Sequence, residues 1–153
     1  MIKNRTRPLL QTMLFRCWLV LGLMVCSQAM AVEVIVNSDV PDQAISQSTL
    51  RAIFCMRMRQ WTNGKPIKVY VLPEQNTAHI LFAKEVLNTF PYQLKRSWDI
   101  LVFSGSGQAP SVAESTKEML QKVSSTPGAI GYVPEDFPIE GAKISNVHIL
   151  EPR

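Results

Sequence analysis

The sequence predicts an α/β domain of three layers, a mixed sheet with helices on both faces. Three observations carry this: strand-like and helix-like segments alternate along the chain, the helical segments carry recognisable caps, and proline or glycine punctuates the junctions between them. Val32-Glu33-Val34-Ile35-Val36 alternates apolar and polar before turning apolar, a strand signal that Asn37-Ser38-Asp39 and Pro41 bring to an end. Ser46 or Ser48 can cap a helix whose apolar positions Leu50, Ile53 and Phe54 share a face, with Arg51 and Arg57 more exposed. Trp61-Thr62-Asn63-Gly64 is a turn, and Pro66 to Leu72 reads as a β-branched strand.

A helix is expected from Thr77 to about Leu87, burying Ala78, Leu81, Phe82, Ala83 and Val86. Thr89 with Pro91 opens another, because proline suits the first helical turn; it runs to about Trp98. Leu101-Val102-Phe103 then leads into the permissive turn Ser104-Gly105-Ser106-Gly107. Ser115 and Glu118 have capping-box spacing, which places a helix from Thr116 to about Ser124. Pro127-Gly128 stops that helix, Ala129 to Val133 forms a strand in which Gly131 leaves room for a backbone or a ligand, and Ile144 to Leu150 is a last strand.

The N-terminus is organised differently. Lys3, Arg5 and Arg7 form a basic start, Cys17 to Cys26 an apolar run, and Ala29-Met30-Ala31 a small-x-small cleavage pattern, so residues 1–31 read as a secretory signal peptide cut after Ala31. The run is short of the roughly 20 residues of a membrane-spanning helix, and Arg16 interrupts any longer one, so the mature protein is expected not to span a membrane. Lipidation at Cys26 is the lesser alternative, since Val25 precedes it. Cleavage leaves 122 of the 153 residues, one domain without internal repeat, and predicts a periplasmic location.

Removing the signal also changes the charge. The chain's net +4 comes from 16 basic against 12 acidic residues, and Lys3, Arg5, Arg7 and Arg16 leave with the signal, so the mature domain is neutral and no nucleic-acid partner is expected. Of three cysteines only Cys55 survives, which excludes an internal disulfide; its place beside Ile53 and Phe54 predicts a buried, inert thiol.

No catalytic residue, metal site or cofactor is read from the chain. Cys55 and His79 lie on separate helices, which argues against a nucleophile pair. His148 has no ligand cluster around it, and Ser106 in Gly-Ser-Gly is not a nucleophile elbow.

Several separated motifs, in order, carry a family resemblance. Ile53-Phe54-Cys55-Met56-Arg57 followed by Trp61, Gly64 and Ile67, then Phe82 and Val86, then Trp98, Phe103, Gly105, Gly107 and Pro110, and finally Thr126-Pro127-Gly128-Ala129-Ile130-Gly131-Tyr132-Val133 resemble the phosphate-binding periplasmic proteins that feed ABC transporters. The similarity is to short, single-lobe members. It implies one lobe of the periplasmic-binding-protein type II class and a non-enzymatic binding or adaptor role. The chain departs from the pattern at Met56, where the family has glycine, and at Glu74-Gln75-Asn76-Thr77, where the resemblance implies an anion-holding Gly-Ser-Gly-Thr turn.

Two sites are therefore expected to meet a phosphate or similar oxyanion, if the chain binds one. Ser104, Gly105, Ser106 and Gly107 could form an amide nest with two hydroxyls, against the plainer reading of a glycine-dependent surface loop. Asn76 and Thr77 could assist at a helix start, against a plain N-cap. The competing expectation is a protein-interaction role, with an envelope protein such as a sensor, porin or surface assembly as partner.

Overall fold

The computed structural model describes residues 31–41 and 44–150; residues 1–30 of the segment expected to be a signal peptide, with Cys17 and Cys26, lie outside the described residues. Strand β1 (Val32–Asn37) lies between two antiparallel partners, β5 (Ala129–Pro134) and β6 (Ile144–Asn146). Beyond β5 the sheet continues through β3 (Lys68–Val71), parallel to it, to the edge strand β4 (Ser111–Val112), giving the order β4-β3-β5-β1-β6. A two-stranded parallel ladder of β2 (Ile45–Ser46) with β7 (Ile149–Leu150) stands apart.

Helices cover both faces, and β5 shows how. Successive strand residues point to opposite sides. Gly131 faces helix α4 (Thr116–Ser125), where an added Cβ would come 2.5 Å from Met119 Sδ and 2.9 Å from Val123 Cγ2. The adjacent Tyr132 faces the other way, its ring 3.9 Å from that of Phe82 and 6.0 Å from that of Phe54 on helix α1 (Gln47–Phe54). The room left by Gly131 is thus filled by two side chains of the protein itself. Tyr132, Phe54, Phe82, Ile130 and Met119 are all fully buried, so the core runs through the sheet.

The caps behave as their chemistry requires. Ser46 is the N-cap of α1 and accepts from Thr49 N–H; Ser115 accepts from Glu118 N–H at the start of α4. Helix α3 (Pro91–Phe103) begins at Pro91, as expected, but continues to Phe103, five residues past the anticipated end. The segment expected as one helix from Thr77 is an α-helical turn, α2 (Thr77–Leu81), followed by a π-helical turn, Phe82–Val86. Its signature is Leu87 N–H donating to Phe82 C=O, and the five-residue spacing keeps Phe82 and Leu87, both fully buried, on one side. The last strand is two, β6 and β7, because Val147 and His148 carry the chain from the main sheet to β2.

Cys55 corrects one expectation: it is half-buried, packed against the core but reaching a surface cleft. It follows the last residue of α1, where the chain turns out of the helix through Met56 at φ 60°. The departure from glycine at this position is met by a methionine in the left-handed region. Two motif tryptophans have definite jobs, each placing a buried indole N–H on a carbonyl: Trp61 on Gly128 at 3.0 Å and Trp98 on Phe54 at 2.7 Å. Among the described residues no helix is long and apolar enough to cross a membrane.

Candidate functional site

The sequence-predicted loop lies at the C-terminal end of α3, and helix geometry decides what it offers. Ser104 N–H donates to Ile100 C=O, Gly105 N–H to Val102 C=O, and both Ser106 and Gly107 N–H to Leu101 C=O. All four amides are spent on the orphan carbonyls of the helix end. The serine hydroxyls face each other at 2.8 Å, with Ser104 Oγ also donating to Leu101 C=O. The loop therefore presents no open amide nest, and it stands at the end of a helix where the dipole favours cations.

The cation is Arg59. Its Nη2 donates to Ser106 C=O at 2.9 Å and its Nε to Met56 C=O at 3.3 Å, which pins the planar fork across the loop. Gly107 makes this approach possible, since a Cβ there would sit 2.6 Å from Arg59 Nη2. Gly105 serves a different need, the left-handed turn at φ 69°.

Around this contact is a cleft of about 610 Å³. It is lined by Gly105, Ser106 and Gly107, by Arg59 and Met56, and by Pro66 through Tyr70, so that exposed Lys68 supplies a second cation. No Asp or Glu lines it. Tyr70, at its inner edge, hydrogen-bonds Thr126 at 3.2 Å and carries Lys122 Nζ 5.7 Å above its ring.

Asn76 and Thr77 do not line this cleft. The cleft takes in Lys68, Val69 and Tyr70 of β3, whereas Asn76 lies beyond the strand's carboxyl end and acts as the N-cap of α2, accepting from Ala78 N–H at 2.9 Å. Thr77 is exposed beside it. The other helix start on that side, at α4, already holds a carboxylate: Glu118 Oε2 accepts from Glu114 N–H at 2.8 Å. The hydrogen bond from Lys122, then that of the Glu114 amide, hold the Glu118 carboxyl below its ordinary range.

Arg59 and Lys68 are the residues sequence reasoning missed. Lys68 is the exposed residue between buried Ile67 and Val69 in an otherwise apolar strand run, and Arg59 follows Arg57 after α1; only the fold brings the two to the 105–107 loop. His79, weighed as a partner for Cys55, is bonded instead to Tyr132, and His148 is exposed. Among the described residues no group of three His, Cys, Asp or Glu could hold a metal ion.

No protein-family model matches the sequence, and no curated protein matches it. The similarity is to solved structures. A protein described as a phosphate ABC transporter substrate-binding protein with bound phosphate, from Clostridium perfringens, superposes with a TM-score of 0.62 at 14% identity, over 78% of this chain and 45% of that one. PstS from Borrelia burgdorferi matches with a TM-score of 0.62 at 16% identity, over 78% and 47%. An ABC-type phosphate transport receptor from Vibrio cholerae gives 0.59 at 12%, over 78% and 46%. The chain thus has the periplasmic-binding-protein fold that its motifs implied, and its match spans less than half the length of those proteins.

Proposed function

We propose that this chain is a secreted, periplasmic, non-enzymatic binding module that holds a small oxyanion, phosphate first, between Arg59, Lys68 and the 105–107 loop. The observation that carries the reading is the acid-free cleft with two cations, one of them fixed by two carbonyls, on a fold shared with phosphate-binding proteins. Arg59 offers its remaining guanidinium N–H groups and Lys68 an ammonium. Asn76 and Thr77 stay with the capping of α2. Because both cations are exposed to solvent and salt, the affinity belongs in the millimolar range.

Calorimetric titration with phosphate and with sulfate tests this. Saturable heat that Arg59→Gln and Lys68→Gln each abolish supports the reading; no heat at about 10 mM ligand sinks it. A protein-contact role is favoured by one different feature, the outer side of α3 and its approach. There Phe103 is 88% exposed and Tyr92 66%, with Phe90 stacked on Tyr92 at 5.7 Å. An envelope partner recovered by wild type and lost with Tyr92→Ser and Phe103→Ser would support it, and equal recovery would refute it.

A further inference from the structure

A second cleft, between α1 and the first turns of α3, is built around two arginines. It encloses about 380 Å³ and is lined by Arg51, Arg57, Ser48, Thr89, Gln93 and Ser97, with Ala52, Cys55 and Leu94 as its apolar part. No acidic residue lines it, and among the described residues neither arginine has a carboxylate partner. Arg51 is nevertheless fixed: its Nε donates to Leu87 C=O at 2.8 Å and its Nη2 to Asn88 C=O at 3.4 Å. Two neutral carbonyls orient the guanidinium without cancelling its charge, and leave the rest of its N–H groups unspent.

The surrounding polar atoms sort into donors and acceptors. Gln93 Oε1 accepts from Thr89 Oγ1 at 2.8 Å and from Phe90 N–H at 3.0 Å, so the other end of that side chain is the NH₂, a donor. Ser97 Oγ donates to Gln93 C=O at 3.0 Å. The nitrogen donors left to a ligand are two guanidiniums and one amide, and Gln93 lies in the first turn of α3, where the helix dipole adds positive potential. That set fits a dianionic group with several acceptor oxygens better than a single carboxylate. The volume lies within the range of small-molecule sites and the apolar part has no use for a bare ion, so an organic body is expected behind the anion.

We infer that this cleft binds the phosphate end of a small organic phosphomonoester, at a site separate from the Arg59 cleft. Half-buried Cys55 serves as a built-in reporter, since a bound ester covers it. The test is the rate of alkylation of Cys55 by the neutral reagent iodoacetamide on the full chain, read by peptide mass mapping so that other thiols do not interfere. Phenyl phosphate is the probe, with inorganic phosphate, phenol and sodium chloride of matched ionic strength as comparisons. At about ten times its dissociation constant phenyl phosphate slows alkylation about tenfold by mass action. Phenol and chloride leave the rate unchanged, and inorganic phosphate protects less. Arg57→Gln, an exposed substitution, removes the protection, whereas Arg59→Gln and Lys68→Gln leave it intact whatever they do to the other cleft. No protection at about 50 mM phenyl phosphate, a concentration that would reveal even weak millimolar binding, would overturn the inference. So would equal protection by chloride or in Arg57→Gln. Inorganic phosphate protecting as well as phenyl phosphate would overturn the organic body.

Discussion

Tyr132 Oη lies 2.6 Å from His79 Nδ1 and also accepts from Leu72 N–H at 2.9 Å, so one hydroxyl joins α2, β5 and the end of β3 inside the core. Satisfaction of the atoms fixes the protons. If Tyr132 donates to Nδ1, one polar atom remains without a partner, Nε2–H of His79; with the other tautomer the tyrosine proton is orphaned too. The favoured state is therefore a neutral His79 protonated at Nε2. Burial raises the Tyr132 phenol well above its ordinary value, so it stays a donor at any physiological pH.

Stability should fall as this histidine is forced to charge. Burial lowers the His79 pKa below its ordinary 6.5, so its contribution is fully present above about that pH and is lost as pH falls toward the folded value. The loss for one group cannot exceed about 1.4 kcal/mol per pH unit. Urea denaturation from about pH 7.5 down to pH 5 reads the slope, and His79→Leu should flatten it even though that variant starts less stable. An unchanged slope in His79→Leu would assign the acid sensitivity elsewhere.

Gly131→Ala should cost about 1–3 kcal/mol through overpacking, because the new methyl meets Met119 Sδ and the stiff Val123 Cγ2, both side chains fully buried. Val123→Ala added to it should recover part of the loss, giving a non-additive cycle. Strict additivity in chemical denaturation would mean that the pair does not meet.

This glycine also shows where the sequence was legible. The helix-to-strand step, the caps at Ser46 and Ser115 and the start at Pro91 depend on local chemistry and are readable residue by residue. What fills the space above Gly131 is decided by how the preceding helix α4 docks back on β5 and sets Met119 and Val123 over it, which no local rule reports. The two-residue strands β2 and β4 have too little pattern to read. The π turn arises because Phe82 and Leu87 must both reach the core, a tertiary demand overriding helix spacing. At the candidate site, the glycines of the 104–107 turn were visible and their partner was not. Arg59 is 47 residues from Ser106 in sequence, and only the assembled domain shows that the loop's amides serve the helix while an arginine supplies the charge.

Met56 tests the backbone rather than a contact. At φ 60° the left-handed region disfavours side chains branched at Cβ most. Met56→Ile, a substitution of similar volume, should therefore cost about 1–3 kcal/mol. Met56→Gly, which relieves the dihedral but gives up a half-buried side chain, should lie within about 1 kcal/mol of wild type. A neutral Met56→Ile in thermal denaturation would show that the turn relaxes.

Asp39 ties the 126–133 step to the end of β1. Its Oδ1 accepts from Gly128 N–H at 2.9 Å, its Oδ2 pairs with Lys65 at 3.1 Å, and its own N–H donates to Asn37 Oδ1. Gly128 is held from the other side by Trp61 Nε1 on its carbonyl, so the carboxylate completes a fixed turn. The Gly128 hydrogen bond, ahead of Lys65, lowers the Asp39 pKa below 3.8. Its contribution is therefore present above that value and is lost as pH falls through the folded one. Asp39→Asn should lower stability by about 1 kcal/mol near neutral pH, a modest figure because the side chain is partly exposed and screened. The gap to wild type should hold between about pH 7 and pH 5, where His79 affects both proteins alike, and narrow only below about pH 4 as the wild-type carboxyl protonates. Urea denaturation of the two proteins across that range decides it: a gap that closes already at pH 5 would place the acid-labile contact elsewhere than the Asp39–Gly128 bond.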